Sequence, residues 1–468
     1  MAAPFNTDPA GDAHVEATLA NSQSPKRLSG ADASGADSIG EKSQSRGTVV
    51  VEGPPSPQPP QSGPPPPPNG GTRAWLQVLG AFFLNFNTWG IVNSYGVFQA
   101  EYASVLLPHS SESAISWIGS IQAFLMLVIA VLCGRALDAG YFYTDILIGA
   151  FLEVFGTMMT SICKEYWQVF LAQGVVVGIG AGMVFIPGVA IVGTYFSTRR
   201  ATAIGLAATG SCVGGIVYPI ALRRLITAIG FGWAVRVMGF LMLATLVVAI
   251  AVMKPRLPPR KSGPLINTEA MRDPIFVTWL VATFLSFIGL YVPFFYVEQY
   301  ARNIGIGADT ASYMLIIINA ASIPGRIVPS MLADKFGNMS ILIPAVFFSG
   351  VITVAWIAVK TEAGLILVSV FLGLTNGSIQ AVVPATVPFL YPDLTKLGTN
   401  LGMTLFSAGL GMLIGSPVAG AILDHQTGNK SSTVFWGAML FAGVTTLAGS
   451  LLIVVVRVMK VGYKMVKA

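Results

Sequence analysis

Apolar stretches of about twenty residues recur along the chain from Arg73 onward, with short polar segments between them. Each stretch is long enough to cross the ~30 Å hydrocarbon core of a bilayer as a helix. The longest connection, residues 254–273, follows the sixth stretch and divides the series six and six. The pattern predicts an all-α membrane protein with twelve transmembrane helices, called spans one to twelve, at residues 74–98, 114–134, 144–162, 166–195, 201–222, 231–253, 274–297, 309–332, 339–359, 364–390, 398–423 and 433–456.

The composition of the chain supports membrane insertion. Of its 468 residues, 53% are apolar and 10% are charged, whereas soluble globular proteins carry about 25% charged residues. The net charge of +6 comes from basic residues that border apolar stretches, where they act as orientation signals and not as a nucleic-acid surface. The scattered Cys133, Cys163 and Cys212 predict neither a disulfide framework nor a metal site. We therefore expect no cofactor and no nucleic-acid partner.

Residues 1–72 differ in character from the rest of the chain. Their segment "GPPSPQPPQSGPPPPP" holds ten prolines among sixteen residues. Such a sequence buries too little apolar surface to offset its loss of conformational entropy on folding. We expect a disordered cytosolic tail that is either a binding site for a cytosolic partner, a phosphorylation site or an inert extension.

Lysine and arginine residues predict the orientation of the spans. If the N-terminus is cytosolic, fifteen basic residues lie near the spans on the cytosolic side and seven lie on the opposite side. The positive-inside rule then assigns both termini, including the C-terminal segment 461–468, to the cytosol. We expect a multi-pass protein of the plasma membrane that contacts lipid and acts as a monomer.

Certain residues recur at a nearly constant offset between the two sets of six spans. The ordered pairs are Asp138 with Asp334, Pro187 with Pro384, Gly205 with Gly402 and Pro219 with Pro417, separated by 196, 197, 197 and 198 residues. This offset predicts two similar six-helix bundles, residues 73–253 and 274–460, joined by the cytosolic loop 254–273. Transporters built from such repeats hold their substrate between the bundles, near the middle of the membrane.

Four segments resemble the major facilitator superfamily and, within it, the fungal branch of the monocarboxylate porter family. "NGGTRAWLQVLGAF" at 69–82 is similar to the family's entry to span one, and "YFSTRRATAIGLAATGSCVGG" at 195–215 is similar to its span-five signature. "GLYVPFFYV" at 289–297 and "SIPGRIVPSMLAD" at 322–334 resemble spans seven and eight of the fungal members. The resemblance covers residues 69–460 and implies alternating-access transport of a small organic anion by two rocking bundles.

The resemblance also implies a gate on the cytosolic side. Asp138 in "GRALDAGYFY" and Asp334 in "LADKFG" occupy positions of the superfamily's gating motif, in which the Asp caps a helix and pairs across its half. The first copy departs from the pattern, because it lacks the usual basic residue after Asp138. Arg199 and Arg200 are either an ion-pair gate or topology anchors.

Arg326 lies inside an apolar run of span eight. It precedes Asp334 by eight residues, so a helical rise of 1.5 Å per residue puts it ~12 Å inside the cytosolic boundary. A central arginine costs at least ~2.5 kcal/mol on insertion, and its guanidinium suits bidentate binding of a carboxylate. The resemblance implies the same role, a substrate-anion residue. The alternative is a structural ion pair with Glu153, the acidic residue at the centre of span three.

Polar and aromatic side chains on several spans are the expected lining of a substrate pathway around Arg326. Asparagine and glutamine within hydrocarbon must find partners, whereas tyrosines are also typical of the membrane interface. The mixture suits a small carboxylated substrate with a partly apolar, cyclic or aromatic body. The expected lining residues are Asn93, Tyr95, Tyr218, Tyr291, Tyr296, Asn319, Asn376 and Gln380.

The family's own proton-coupling residues are missing from this chain. Animal members have a Lys toward the end of span one and an Asp one turn before the span-eight Arg, and Asn93 and Ser322 stand at these positions here. Neither side chain titrates at physiological pH. Glu153 either supplies a replacement proton-binding group or fills a helix interface.

Three functions stay open on the sequence. Transport of a small organic anion is the first, export of a carboxylated or neutral secondary metabolite is the alternative, and a membrane sensor that binds without transporting is the third. We do not expect an enzyme, because His14, His109 and His425 lie in the tail or in loops. The spans also contain neither paired metal ligands nor a nucleophile elbow.

Overall fold

The computed structural model describes residues 67–196, 200–258, 266–391, 397–427 and 434–462. The predicted tail up to residue 66, Arg199 and the segment 463–468 lie outside the described residues. The side chains of Asp138, Arg200 and Asp334 lie outside the description as well. All regular elements in the described part of the chain are helices.

The first six spans are built from α-helices and two π-helical stretches. Span one comprises Thr72–Asn93 and Tyr95–Glu101, followed by the π-helical Tyr102–Leu106; span two is Glu112–Asp138; span three is Phe142–Thr160; span four comprises Tyr166–Val169, the π-helical Phe170–Val177 and Gly178–Tyr195; spans five and six together form Arg200–Val252.

The last six spans follow a short 3₁₀ turn, Ala270–Arg272. Span seven comprises Pro274–Leu290 and Val292–Asn303; span eight is Ala308–Phe336; span nine is Asn338–Ala355, followed by the 3₁₀ turn Trp356–Ala358; span ten is Glu362–Leu390; span eleven is Leu397–Thr427; span twelve is Trp436–Val461.

Spans five and six form one helical stretch with a break. Ten stretches of the described residues are long and apolar enough to cross a membrane, and one of them, Thr202–Val252, has 51 residues. At 1.5 Å per residue it measures about 76 Å, more than twice the thickness of a bilayer core. Gly230 breaks it with φ 78° and ψ 162°, a conformation that glycine adopts without strain. The stretch therefore supplies two crossings.

Span one is the remaining crossing, although its helix Thr72–Asn93 is too polar to be among the ten. Gln77, Asn85 and Asn87 are buried in it and lower its hydropathy. Gln77 Oε1 accepts a hydrogen bond from the Lys254 amide at 2.8 Å, and Asn87 Nδ2 donates to Thr245 Oγ1 at 2.9 Å. Because these amides have partners within the protein, span one can cross the membrane, and the helices account for all twelve predicted spans.

The internal repeat is visible in the backbone. Span one is interrupted at Ser94 and span seven at Tyr291, with φ/ψ of −93°/−2° and −96°/−11°. These positions are 197 residues apart, the same offset that relates the repeated sequence positions. Gly214 packs against the backbone of span one, and Gly411, 197 residues later, packs against the backbone of span seven. The same helix pairing, first with fifth, thus occurs in both halves.

The helices run between two ends of the molecule. The central-loop end holds residues 253–258 and 266–273, and the far end holds the loops at 107–111 and 304–307. At the far end, every residue of span one from 91 to 99 is buried, as is every residue of span seven from 286 to 298. Nearer the central-loop end, these two spans expose apolar side chains such as Leu79 and Val281. The two halves thus enclose spans one and seven most completely at the far end.

Candidate functional site

Arg326 bridges the two halves of the chain. It is 7% exposed and lies inside the helix Ala308–Phe336. Its Nη1 donates to the carbonyl oxygen of Ala208 at 2.9 Å and to Oγ of Ser211, both on span five. Its Nη2 donates to Oε1 of Gln380 on span ten at 2.6 Å. The guanidinium is therefore held by three neutral acceptors, two of them from the opposite half.

The charge of Arg326 has no counterion among the described carboxylates. Both carboxyl oxygens of Glu153 are buried without a hydrogen-bond partner, so the alternative of an ion pair between these residues is wrong. Three of the guanidinium's five donors are used in the contacts above, and Nε has no partner. The Nε–H and one Nη2–H remain. These two adjacent donors can form a bidentate hydrogen bond to the two oxygens of a carboxylate. An uncompensated buried charge is costly, so an anionic ligand would be stabilised here.

Tyr291 contributes an aromatic platform between spans one and seven. It is 1% exposed and lies at the break in span seven. Its ring stacks with Trp89 of span one at a centroid distance of 6.2 Å and with Phe294 at 5.2 Å. The electrostatic influence of Arg326 reaches the Tyr291 hydroxyl, and this hydroxyl is buried without a hydrogen-bond partner. An aromatic ligand body could stack here while its anionic group meets the guanidinium.

Asn319 and Asn93 add unpartnered acceptors. Asn319 donates through Nδ2 to the Leu315 carbonyl at 3.0 Å, but its Oδ1 has no partner. Its amide packs directly on Gly215 of span five, where a Cβ atom would overlap it. Asn93 is 1% exposed and its Oδ1 is also unpartnered. It follows Trp89 by four residues, so it lies on the face of span one that meets span seven.

Two predicted lining tyrosines are instead held by protein partners. Tyr95 donates to the Ile115 carbonyl at 2.5 Å, and its ring packs on Phe295 at 4.7 Å. Tyr296 hydrogen-bonds Ser116 Oγ and donates to the Ser416 carbonyl at 3.2 Å. Both hydroxyls are therefore occupied between spans.

Two further predicted lining residues also serve packing. Asn376 accepts from Ser349 Oγ at 3.0 Å and donates to the Leu290 carbonyl at 3.4 Å, which fixes span ten to spans nine and seven. Tyr218 donates to Asn87 Oδ1 inside the N-terminal half. Of the predicted lining, Gln380 contacts Arg326 directly, Tyr291 lies within its electrostatic range, and Asn319 and Asn93 each have an unpartnered Oδ1 atom.

Glu298 ties the two halves together at the far end. Its carboxylate is 1% exposed and forms an ion pair with Arg223 of span five. The same oxygen pairs with Arg302, one turn along its own helix, at 2.7 Å. Arg223 also donates to the Ala308 carbonyl at 3.3 Å. This cluster joins spans five, seven and eight at the far end.

Spans two and eleven close the same end through a helix cap. Both carboxyl oxygens of Asp424 accept backbone hydrogen bonds at the start of span two, from Glu112 at 3.1 Å and from Ser113 at 3.2 Å. Ser113 Oγ donates to the Pro417 carbonyl at 2.9 Å. A carboxylate is stabilised at a helix N-terminus by the unpaired amides there. The far end is therefore sealed by polar contacts on two sides.

The contacts described above do not include the residues of the predicted gate at the central-loop end. Asp138, Asp334 and Arg200 have no described side chains, and Arg199 lies outside the described residues. Their gating role stays a prediction.

Comparison with known proteins identifies the family. The sequence model of the Major Facilitator Superfamily matches residues 77–388 and 280–464. A protein described as "MFS-type transporter dbaD", from Emericella nidulans, is 45% identical over 387 residues, covering 82% of this chain and 86% of the relative. The chain belongs to the Major Facilitator Superfamily.

Two other relatives of this superfamily member are described as efflux proteins. "Aspyridones efflux protein apdF" of Emericella nidulans is 34% identical and covers 88% of this chain and 83% of its own length. "Agnestins efflux protein AgnL12" of Paecilomyces divaricatus is 33% identical, and the match covers 82% of this chain and 87% of the relative. The family confirms the predicted all-α membrane fold, the transport function and the prediction that the chain is not an enzyme. Membership of the monocarboxylate porter family stays a prediction.

Sequence reasoning missed several residues that matter in this superfamily member. Ala208 acts through its backbone carbonyl, which leaves no side-chain signal. Ser211 lies in "TGSCVGG", and a polar residue among close-packing glycines could have indicated a contact across the helix interface. Trp89 and Glu298 were overlooked because an aromatic residue and a charge near a span's end are both typical of the membrane interface.

Proposed function

We propose that this transporter exports a secondary metabolite that carries a carboxylate or a similarly acidic group, with Arg326 as the anion-binding residue. The observation that carries the proposal is the buried guanidinium between the two halves, bound only to neutral described acceptors and with Nε–H unused. A guanidinium recognises planar anions through two parallel hydrogen bonds. A small monocarboxylate is the simplest ligand of this kind.

The descriptions of relatives and the aromatic residues of the site support the proposal of metabolite export. Relatives that share a third of their residues with this chain are described as efflux proteins for aspyridones and agnestins. The stacked Trp89, Tyr291 and Phe294, of which Tyr291 lies within electrostatic range of Arg326, suit an aromatic or cyclic body larger than a simple monocarboxylate. We therefore propose export across the plasma membrane, with both termini in the cytosol.

The transport cycle follows from where the halves touch. With the far end sealed, the substrate enters from the central-loop end, and its anionic group binds the free edge of Arg326. Because Ala208 and Ser211 belong to the opposite half, their bonds to Arg326 change when the bundles rock. An anion that neutralises Arg326 lowers the cost of breaking these bonds. The Glu298 and Asp424 contacts then open, and the substrate leaves at the far end.

Acid and ester pairs test the anion site on the purified protein. Thermal stability is measured with 2-hydroxybenzoate, phenylacetate and larger aromatic carboxylic acids, and with the methyl ester of each. We expect acids to stabilise the wild type more than their esters, and Arg326→Gln to remove this difference. Arg302→Gln, at the far end, is the matched control and should keep it. Equal stabilisation by acids and esters would instead favour a neutral metabolite, and inward flux of an acid that binds would favour uptake.

A further inference from the structure

A cavity of about 280 Å³ lies at the far end of the C-terminal half and shares no lining residue with the site around Arg326. The helix Val292–Asn303 of span seven ends there, span nine ends in the turn Trp356–Ala358, and span twelve begins at Trp436. Because membrane spans end at the bilayer surface, the cavity lies at the level of the lipid headgroups of that face. Its lining includes Tyr300, Asn303, Ile357, Lys360, Trp436 and Met439.

Tyr300 holds the walls of this cavity together. It is 3% exposed, and its hydroxyl donates to the Val359 carbonyl at 2.5 Å. Its ring packs edge to face on Trp356 at 5.3 Å and on Phe435 at 5.2 Å. These contacts join the end of span seven to the segments that follow span nine and precede span twelve. The cavity is therefore formed within the protein itself, and a ligand that enters it has little ordering of the protein to offset.

Lys360 gives the cavity a positive charge. Among the described residues that line the cavity, it carries the only charge, and its side chain is exposed. Its Nζ lies over the Tyr300 ring, 5.8 Å from the centroid. The ion pairs of the described residues centre on Glu298 and do not include Lys360. A lysine ammonium is a compact charge that suits a phosphate group, so an anionic phosphate would be stabilised here.

The rest of the lining is largely apolar. Trp436 is 53% exposed, and Ile357 and Met439 lie beside it in the cavity wall. A free phosphate ion would contact Lys360 but would leave this apolar surface uncovered. A phospholipid satisfies both parts, because its phosphate group lies at the membrane surface and its acyl chains extend into the hydrocarbon. Lysine and tryptophan are also the side chains expected at that level of a bilayer.

We infer that this cavity binds a phospholipid of the leaflet at the far end, with the phosphate group on Lys360 and the upper part of the acyl chains against Trp436 and Ile357. Tyr300 follows Glu298 by two residues on the same helix. A bound lipid would therefore hold the end of this helix against span twelve, next to the ion pairs that join the two halves. The inference goes beyond the proposed export, because it concerns a lipid and holds for any substrate.

Thermal unfolding of the purified full-length protein in detergent tests the lipid site. Phosphatidic acid and diacylglycerol with the same acyl chains are the matched probes, because they differ by the phosphate group alone. Inorganic phosphate is the third probe and represents a free anion. The wild type, Lys360→Gln, Lys360→Arg and Lys164→Gln are compared. Lys164 is the matched control, because it is an exposed lysine at the far end of the opposite half.

We expect phosphatidic acid to stabilise the wild type more than diacylglycerol or inorganic phosphate does. In Lys360→Gln, the concentration of phosphatidic acid for half-maximal stabilisation should rise about tenfold or more, because a hydrogen bond between charged groups is lost. Lys164→Gln should keep the wild-type midpoint, and so should Lys360→Arg, which distinguishes lost binding from misfolding.

Three results would overturn the lipid site. They are an unchanged midpoint in Lys360→Gln, an equal loss in Lys164→Gln, and stabilisation of the wild type by diacylglycerol or inorganic phosphate that equals stabilisation by phosphatidic acid. Each would leave the comparison of acids and esters at Arg326 unaffected, because the two sites share no lining residue.

Discussion

The Nη1 atom of Arg326 lies 2.9 Å from the carbonyl oxygen of Ala208, and this hydrogen bond joins span eight to span five across the two halves. A backbone carbonyl is a neutral acceptor, so the contact positions the guanidinium without cancelling its charge. In the proposed transport cycle, the guanidinium therefore stays available for an anion, and its bond to Ala208 changes when the bundles separate.

The substitution Gln380→Glu should weaken anion binding at Arg326. The new carboxylate would stand where Oε1 now lies 2.6 Å from Arg326 Nη2 and would occupy the charge that the substrate needs. Hydrogen bonds to charged groups are worth about 1.5–3 kcal/mol, so we expect carboxylate binding to weaken by about tenfold or more. Thermal-shift titration with an acid that stabilises the wild type measures this loss. Gln380→Leu is the control, because it removes the same amide without adding a charge. A wild-type affinity in Gln380→Glu would contradict anion binding by Arg326.

Gly215→Ala should disturb the contact between spans five and eight. The added methyl group would overlap the Asn319 amide, and overpacking of this kind costs about 1–3 kcal/mol. We expect a lower thermal stability and slower transport, with stability restored in the double variant Gly215→Ala, Asn319→Ala. Gly205→Ala on the same helix is the matched control, because nothing lies within 4 Å of a Cβ atom there. Equal effects of the two glycine substitutions would refute the packing argument.

Glu298→Gln should loosen the far end. It removes the charge that pairs with Arg223 of the opposite half, and breaking a buried pair by removing one partner costs about 3 kcal/mol or more. We expect spin labels on cysteines introduced at Ala228 and Ala363, which are exposed at the far end in opposite halves, to move apart and to show a broader distance distribution. Arg302→Gln should have a small effect, because Arg302 is 41% exposed and pairs within its own helix. If the two variants behaved alike, the contact across the halves would not be the one that seals this end.

Substitutions of Asn376 and Gln380 should change different properties, stability in the first case and substrate affinity in the second. They are one turn apart on span ten, but Asn376 is bound to Ser349 and the Leu290 carbonyl whereas Gln380 is bound to Arg326. Asn376→Ala leaves the Leu290 carbonyl and Ser349 without their partner, which should lower stability by about 1–3 kcal/mol. Gln380→Ala should mainly change substrate affinity. Thermal unfolding and flux per folded molecule distinguish the two, and the reverse assignment would count against the site described here.

The fold could be predicted from the sequence because the length of apolar stretches and the spacing of residues can be measured along the chain alone. Apolar length predicted the spans, and the constant offset predicted the repeat that the breaks at Ser94 and Tyr291 reproduce in the backbone. The depth of Arg326 followed from helical rise alone. Even the polar helix of span one was predicted correctly, because its residues still form a stretch of sufficient length.

The site could be predicted only in part, because hydrogen-bond partners are set by packing between distant segments. Tyr95 and Tyr296 have the residue type of a pathway lining, but their hydroxyls bond to spans two and eleven. Tyr95 packs in this way because Gly119 of span two leaves room for its ring. Ala208 shows the converse, since a residue with no polar side chain still supplies an acceptor to Arg326. Neither outcome is visible before the helices are placed.

Flux through reconstituted vesicles shows whether Arg326 binds the transported anion. The wild type, Arg326→Gln and Arg302→Gln are reconstituted at equal protein content, and release of a radiolabelled carboxylic acid selected by thermal shift is followed with time. We expect Arg326→Gln to abolish flux of the acid and Arg302→Gln to retain it, with both variants folded and inserted like the wild type. Near-normal flux of the acid through Arg326→Gln would rule out the proposed anion site.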